Sequence, residues 1–305
     1  MFRYSHHKNI IVKTIAILMS LMIIAGCSSN KKNGQSGSNG KKTVKLVYVN
    51  WAEGVAMTNL AKAILQDKMG YNVKLTMADV APVFTSVANG DDDAFLDAWL
   101  PVTHAQYMKK YGSKLVDLGY NYQGARIGLV VPKYFNINSI TQLNSVKNKV
   151  DDKIIGIDSG AGIMQKTSQA VKAYNLQLKL IPSSGPAMTA SLKQAISNHK
   201  PIVVTGWKPH WMFARFNLKF LKDPKGIYGK AENIHTVARK GLKKDMPRVA
   251  KFLENFELND QQLGSLMNDV RLSKTNALDA AKKWMKNNQK LVNSWIPKAK
   301  SNSSM

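Results

Sequence analysis

The sequence predicts an α/β protein of two lobes with a helical C-terminal tail, and three observations support this class. Short strand-like runs alternate with helical runs from Val44 onward. Arg126–Val131 (RIGLVV) is a continuous apolar strand that Pro132 stops, and after it the alternation starts again. From Met246 to Ile296 the chain reads as helices only. Repeated alternation of strands and helices is typical of mainly parallel sheets that are covered by helices.

The first half of the chain is predicted to alternate strands with helices. Val44–Asn50 is rich in β-branched and aromatic residues, which favours a strand. Apolar residues at helical spacing predict a helix over Ala56–Lys68, and Gly70 provides its C-terminal stop. The following elements are a strand over Tyr71–Met77, a helix over Pro82–Asn89, a turn over Gly90–Asp93, the segment Ala94–Trp99 and a helix over His104–Tyr111.

The second half repeats this pattern after a short helical connection over Asn136–Lys149. Its elements are strand Ile154–Asp158, helix Gly162–Tyr174, strand Leu178–Ile181, helix Ala187–Ser197, strand Ile202–Thr205 and strand Ile234–Arg239. We therefore expect lobe 1 over residues 43–131, lobe 2 over residues 132–239, and C-terminal helices over residues 240–298 that return to lobe 1. This is the layout of a two-lobed periplasmic-type binding protein, whose ligand lies in the cleft between the lobes at the carboxyl ends of strands.

The N-terminus has the layout of a secretory signal peptide. Arg3, Lys8 and Lys13 form a basic start, and the apolar run Ile15–Ala25 follows. That run is short for a membrane span, which needs about 20 apolar residues. Residues Ile24–Cys27 read IAGC, which resembles a bacterial lipobox, in which the Cys is diacylated and becomes the first mature residue.

Cys27 is the single cysteine of the chain, so it cannot form an internal disulfide, and lipidation would explain a free thiol on an exported protein. The alternative is an uncleaved N-terminal anchor helix that ends at Cys27 by chance. In both cases the globular part would lie outside the cytoplasm, tethered to a membrane. We predict a signal peptide over residues 1–26, a disordered tether over residues 27–42, and a disordered tail over residues 299–305.

The formal net charge of +25 raises the question of nucleic-acid binding. The basic residues are dispersed, however, and many lie on helical stretches such as Lys282–Lys290. No basic tract is interleaved with aromatic residues that could stack on bases. We therefore expect a solvated cationic surface and no nucleic-acid partner.

Three tryptophans occur where the chain is predicted to change direction. Trp51 follows the first strand, Trp99 ends the segment Ala94–Trp99, and Trp207 follows the strand Ile202–Thr205. One such Trp is ordinarily a packing residue, but three beside Gly, Pro or polar residues are expected to line the cleft. The face of an indole attracts a quaternary ammonium ion with about 2 kcal/mol or more per desolvated contact. The three tryptophans therefore indicate a cage for such an ion.

A site for a negative group is indicated at the loop Asp158–Ile163, which runs from a strand into a helix. Its glycines allow the backbone to come close to a ligand, and the first N–H groups of a helix are unpaired and partly positive. The loop is either a carboxylate site or an ordinary tight turn between a strand and a helix. In the first case the cleft would bind a zwitterion.

Five separated segments carry a resemblance to a known family: VNWAEG, DAWLPVTH, IGIDSGAGIM, SSGPAMTASLK and TGWKPHWMF. Together they resemble the glycine betaine-binding subunits of osmoprotectant ABC importers, and the likeness extends over nearly all of Thr43–Pro297. The resemblance implies that Trp51, Trp99 and Trp207 form the ammonium cage.

The same resemblance implies how the carboxylate is held. The backbone N–H groups of Gly162 and Ile163, together with the side chain of His104, would bind it. His210 and Trp211, which neighbour one cage tryptophan, are expected to pack behind the ligand contacts.

We therefore expect an extracytoplasmic substrate-binding protein that takes glycine betaine or proline betaine to an ABC permease and its ATPase for osmoprotection. A receptor for carnitine or choline is the alternative, although a carboxylate site argues against choline. A cell-surface adhesin would explain the anchor and the charge but leave the three tryptophans unexplained. An enzyme is disfavoured because the chain has no G-x-S-x-G, P-loop or H-E-x-x-H motif.

Neither a cofactor nor a metal ion is expected. His199 and His235 have no Cys, Asp or Glu nearby at the spacing of metal ligands. Asp91–Asp93 lacks the twelve-residue loop with a terminal Glu that binds calcium.

Overall fold

Nine strands and eleven α-helices make up residues 42–298, the part of the chain that the computed structural model describes. The strands are β1 (Thr43–Tyr48), β2 (Asn72–Met77), β3 (Ala94–Leu100), β4 (Leu115–Pro132), β5 (Lys153–Ile155), β6 (Lys179–Ile181), β7 (Val204–Lys208), β8 (Leu218–Phe220) and β9 (Glu232–Arg239). The helices are α1 (Ala52–Asp67), α2 (Val80–Asn89), α3 (Ala105–Tyr111), α4 (Gly162–Ala173), α5 (Gly185–Ser197), α6 (Met212–Arg215), α7 (Leu242–Asp245), α8 (Pro247–Asn255), α9 (Asp260–Leu272), α10 (Ala277–Asn287) and α11 (Gln289–Trp295).

The helical connection expected over 136–149 consists of two short 3₁₀ helices, Ile140–Gln142 and Asn144–Val150. The predicted signal peptide, Cys27, the tether up to residue 41 and the tail 299–305 lie outside the described residues. Within residues 42–298, no helix is both long enough and apolar enough to cross a membrane.

Two sheets share the long strand β4. Residues 115–125 of β4 pair with β9, whereas residues 126–130 pair with β7. The strand thereby leaves a first sheet of order β2-β1-β3-β9-β4 and enters a second sheet of order β4-β7-β5-β6. The chain returns to the first sheet through residues 221–231, between β8 and β9. Two chain segments therefore connect the two α/β halves of the fold.

Each half contains a parallel part whose strands are joined by helices. β1 pairs in parallel with β2 and with β3, and β5 pairs in parallel with β6 and with β7. Parallel neighbours need long crossovers, and α1, α2, α4 and α5 provide them. The prediction of parallel sheets is correct for these strands, whereas β4 and β9 run antiparallel to their neighbours.

The C-terminal helices pack on the first half of the fold. α9 and α10 contact α1, and α8 contacts β4. Trp284 and Trp295 are buried in this layer, at 2% and 4% exposure. The indole N–H of Trp284 donates to Ser265 Oγ at 2.8 Å, which satisfies its polar group.

Two features of this layout differ from the sequence prediction. The strand predicted over 126–131 begins at Leu115, and its first part is interrupted by register shifts and by Gly119 and Gly124, both at positive φ. Such interruptions break the two-residue period by which strands are identified. The boundary predicted at residue 239 is wrong for β9, which pairs with β3 and β4 in the first sheet.

Candidate ligand-binding site

A cavity with an empty volume of about 280 Å³ is lined by residues from both sheets and from the loops that follow their strands. Its lining residues are Trp51, Glu53, Trp99, Thr103, His104, Ile127, Ile157, Ala161, Gly162, Ile163 and Trp207. All six residues predicted to contact a ligand are in this set. The cavity thus brings together segments that lie up to 156 residues apart in the chain, between Trp51 and Trp207 (207 − 51 = 156).

The three tryptophans reach the cavity from three different elements. Trp51 follows β1 and caps the N-terminus of α1, whereas Trp99 lies within β3 and Trp207 within β7. The strand predicted to end at Thr205 therefore continues through Trp207. All three are nearly buried, with exposures of 5%, 3% and 3%. Their burial is compatible with desolvated contacts to a small ion, which is where a cation–π contact is strongest.

Each of these indoles is held by a carboxylate. The Nε1–H of Trp207 donates to Glu53 Oε2 at 2.8 Å, and that of Trp99 donates to Asp97 Oδ1 at 2.8 Å. The Nε1–H of Trp51 donates to Asp158 Oδ2 at 3.2 Å. A charge-assisted hydrogen bond fixes the rotation of each ring, so that the indole faces are preorganised.

Two of these carboxylates are fully buried. Burial raises the pKa of Glu53 to about 7, although its hydrogen bond from Trp207 works in the opposite direction. Burial, and to a smaller degree the nearby Glu53 charge, raises the pKa of Asp97 well above its usual range. No Lys, Arg or His of the described chain forms an ion pair with either group.

His104 presents a free hydrogen-bond donor. Its Nδ1 accepts the backbone N–H of Trp99 at 2.9 Å. Since a backbone N–H can only donate, the neutral ring must carry its proton on Nε2. Burial lowers the pKa of His104 to about 3, so the ring is neutral at neutral pH. Nε2 is buried and has no hydrogen-bond partner among the described residues.

The N-terminus of α4 also lines the cavity, next to the Thr103–His104 segment. Gly162 and Ile163 are its first two residues, and the N–H groups at these positions have no intrahelical acceptor. The positive end of the helix dipole therefore points to the same space as His104 Nε2. This arrangement can bind a carboxylate at His104 and the start of α4, while the faces of the indoles can hold a cation in the same cavity.

The loop before α4 is in close contact with the first half of the fold. A Cβ on Gly162 would lie only 2.1 Å from the carbonyl oxygen of Thr103, so no larger residue fits there. The hydroxyl of Tyr107 donates to the carbonyl oxygen of Gly160 at 2.8 Å. These contacts, with the Trp51–Asp158 hydrogen bond, close the cavity between the two halves.

A further carboxylate positions the segment that carries His104. Glu232 of β9 is buried and accepts the backbone N–H groups of Val102 and Thr103 at 2.9 and 3.0 Å. It also accepts the hydroxyl of Thr103. Three hydrogen bonds to one carboxylate fix this short loop between β3 and α3, and with it the position of the imidazole.

His210 and Trp211 lie behind the cage and do not line the cavity. The His210 ring packs edge-on against Trp207, with ring centroids 4.8 Å apart, and its Nδ1 accepts the backbone N–H of Met212 at 3.0 Å. Trp211 is half-buried, and the guanidinium of Arg271 lies 5.3 Å from its ring centroid. Both residues therefore lie beside the cavity without lining it, and their packing role stays a prediction.

The sequence prediction missed the carboxylates that orient the cage. Glu53 and Asp97 each lie two residues from a tryptophan, in W-x-E and D-x-W. Only Asp97 bonds the tryptophan that is near it in sequence, because Glu53 reaches across the cavity to Trp207. The proximity of a carboxylate to Trp51 and to Trp99 was the available signal, but the pairing depends on the tertiary fold.

Comparisons with known proteins agree with this fold. Residues 42–287 match the family described as the substrate binding domain of ABC-type glycine betaine transport systems. A segment of 150 residues, 48% of this chain, is 48% identical to the glycine betaine/carnitine transport binding protein GbuC of Listeria monocytogenes. That segment spans 50% of GbuC, so the match covers about half the length of this relative.

Two solved structures resemble the described fold. The lactococcal OpuAC in its closed form with glycine betaine is 43% identical, with a TM-score of 0.80 over 84% of this chain and 100% of that one. A choline binding protein of an ABC transporter, in complex with choline, is 28% identical, with a TM-score of 0.77 over 83% of this chain and 91% of that one. The fold is the two-lobed fold of periplasmic binding proteins, and this chain belongs to the family of substrate-binding domains of ABC-type glycine betaine transport systems.

Proposed function

We propose that this chain is the extracytoplasmic receptor of an ABC importer and that it binds glycine betaine in the cavity between its two lobes. One observation carries the proposal: three indole rings, a free imidazole N–H and the first N–H groups of a helix line the same small space. The first group suits a trimethylammonium ion, and the other two suit a carboxylate. Glycine betaine joins these two poles through one methylene group.

The cage is Trp51, Trp99 and Trp207, whose rings lie on both sides of the cleft. A ligand held by Trp207 of the second sheet and Trp99 of the first contacts both lobes at once. Such a ligand stabilises the closed arrangement, because only that arrangement offers all its contacts. The closed lobes then dock on the permease, and the ATPase drives uptake.

The opposite end of the ligand is held by uncharged donors. His104 Nε2–H and the N–H groups of Gly162 and Ile163 bind the carboxylate without a Lys or Arg. Glycine betaine has about eight heavy atoms, so the ceiling of about 1.5 kcal/mol per atom allows about 12 kcal/mol. Micromolar affinity needs about 8 kcal/mol, which is well within that ceiling.

Anchoring at the membrane is part of the proposal. The lipobox-like IAGC ending at Cys27 supports a diacylated N-terminus, with the residues after it as the tether. Metabolic labelling with a clickable palmitate would test it: label is expected on the natural chain and lost in C27A. Label that persists in C27A would overturn the anchor and leave the ligand proposal intact.

Choline and carnitine are the competing ligands. The relative GbuC is named for glycine betaine and carnitine, and one similar structure holds choline. Choline has no carboxylate and would leave the donors of His104 and α4 without a partner, which costs binding energy. Carnitine keeps the carboxylate but separates it from the ammonium group by a longer chain than the single methylene group of glycine betaine.

Calorimetric titration of the purified protein tests the proposal. Glycine betaine is expected to bind one to one, with proline betaine and carnitine weaker and choline weakest. Choline that binds as tightly as glycine betaine would overturn the carboxylate site while the receptor class stands. No binding of any of these compounds would overturn the proposed function itself.

A further inference from the structure

The charge of the cavity wall is opposite to that of the chain. The protein has a formal net charge of +25. Among the described residues that line the cavity, however, Glu53 is the one charged side chain, and neither Lys nor Arg is present. His104 adds no charge, because its ring is neutral at neutral pH. The wall thus carries only negative charge.

A second buried carboxylate lies beside Glu53. A Cβ on Gly54 would come within 2.5 Å of Asp97 Oδ2, so this carboxylate fills the space next to the first turn of α1. Its Oδ1 is used by Trp99, but Oδ2 is buried and has no hydrogen-bond partner among the described residues. Two buried carboxylates without a counter-ion are costly for a folded protein. Packing alone does not require them.

We propose that Glu53 and Asp97 are the specificity-determining charge of the cage, a proposal that rests on the proposed function. They select a quaternary ammonium head over a neutral head of the same shape. A bound cation favours the ionised form of both carboxyl groups, and ionised Glu53, which lies in the cavity wall, then attracts it directly. They also act through the indoles of Trp207 and Trp99, whose N–H groups donate to them.

The second effect follows from the direction of these hydrogen bonds. An N–H that donates to an anion is polarised, and hydrogen-bonded groups polarise one another more strongly at low dielectric. The indole ring then carries more negative charge on its face, where a cation binds. The rings of Trp207 and Trp99 are polarised in this way by fully buried carboxylates. The third ring, Trp51, donates to Asp158, which is only half-buried.

A purely structural role makes a different prediction. If Glu53 and Asp97 only held the indoles in place, then any side chain that accepts the same hydrogen bond would serve. Glu53→Gln and Asp97→Asn keep an oxygen acceptor for the indole N–H and remove the charge. The two roles are therefore separated by these two substitutions.

The experiment compares two ligands of the same shape. In 3,3-dimethylbutanoate a neutral tert-butyl group replaces the trimethylammonium group of glycine betaine, and the carboxylate is retained. We expect E53Q to weaken glycine betaine at least about tenfold, which equals about 1.4 kcal/mol. Binding of 3,3-dimethylbutanoate should stay unchanged or become tighter. D97N should change the ratio of the two affinities in the same direction, and E254Q, a Glu→Gln change at a partly exposed ion pair with Lys243, should leave it as it is.

The outcomes are distinct from a failure of the proposed function. If the unsubstituted protein does not bind glycine betaine, the proposed function is overturned before any variant is measured. If it binds and E53Q weakens both ligands equally, or neither, selection by charge is overturned. Circular dichroism identifies a variant that fails to fold, and D97N then decides, because Asn can still accept the N–H of Trp99.

Discussion

At the scale of single residues, the hydrogen bonds of His104 determine which pole of a ligand it can serve. Its Nδ1 is occupied by the N–H of Trp99, so only Nε2–H is free, and the ring is neutral. We expect H104Q to weaken glycine betaine about 10- to 100-fold, the value of a hydrogen bond to a charged group. The affinity for choline, which lacks a carboxylate, should fall only slightly. Titration of both ligands into the variant measures the difference.

His210 provides a matched control for this prediction. It is also buried, burial likewise lowers its pKa to about 3, and its Nδ1 also accepts a backbone N–H. It does not line the cavity. H210Q should therefore lower stability without changing the ratio of glycine betaine to choline affinity. An equal loss of both ligands in H104Q would show that His104 does not contact the carboxylate.

The residues of the site were predictable from the sequence to the extent that their chemistry is visible in it. Tryptophans at turns are conspicuous, and the family resemblance supplied the role of His104. Glu53 was not predictable, because its partner Trp207 lies 154 residues away. Asp97 lies in a strand that is buried except for its last residue, where an ionisable residue contradicts the usual pattern. A charged residue in an apolar strand next to Trp is thus a signal for a site of this kind.

At the scale of elements, the start of α4 must approach the loop between β3 and α3 closely. A Cβ at residue 162 would collide with the carbonyl oxygen of Thr103 at 2.1 Å. G162A is therefore expected to keep the lobes apart and to move the N–H groups that bind the carboxylate, with a loss of affinity of at least about tenfold, or about 1.4 kcal/mol. The titration used above measures it, and thermal unfolding tests whether the fold itself is kept.

Gly160 offers the control in the same loop. A Cβ there would be 3.6 Å from the Tyr107 hydroxyl, an ordinary contact, so G160A should bind nearly as well as the unsubstituted protein. If G160A and G162A lower the affinity equally, the loss comes from reduced loop flexibility. The close approach of residue 162 to Thr103 would then not be its cause.

The elements also mark the limit of prediction from local pattern. Helices and parallel strands were predicted to within a few residues, because their periods are local. The first part of β4 was missed, since Gly119 and Gly124 at positive φ interrupt it. The sheet to which β9 belongs depends on pairing with β3 and β4, more than 100 residues earlier in the chain, and no local pattern specifies such a partner.

At the scale of the whole molecule, the carboxylates buried at the cavity lower the stability of the folded protein. Burying Glu53 and Asp97 without a counter-ion destabilises the unliganded protein, and a bound cation offsets part of that cost. Active and binding sites commonly trade stability for function in this way. This loss of stability should be measurable, because the charge on Glu53 depends on pH in an accessible range.

The last prediction concerns this dependence. Burial raises the pKa of Glu53 from 4.5 to about 7, so between these values the folded state holds a proton that the unfolded state has released. The unfolding free energy contributed by this group therefore falls as pH rises from 4.5 to 7, by about 3 kcal/mol at most. E53Q has no such proton, and it should gain stability over the unsubstituted protein across this window.

Urea unfolding of E53Q and of the unsubstituted protein at pH 4.5 to 8 measures the difference between their unfolding free energies. The contributions of titratable groups that both proteins share cancel in this difference. The titratable groups around Glu53 are Asp97, whose pKa is raised in the same direction, neutral His104, and Asp158 and Glu232 beyond the indoles and the Thr103 loop. E254Q should differ from the unsubstituted protein by a nearly constant amount over this range, because Lys243 lowers the pKa of Glu254 and the pH dependence of that group lies below its unfolded value of 4.5. Saturating glycine betaine should reduce the difference in unfolding free energy between the two proteins at pH 8, since the cation stabilises ionised Glu53. A difference that stays constant with pH would mean that Glu53 is ionised throughout, and the cost assigned to its burial would be wrong.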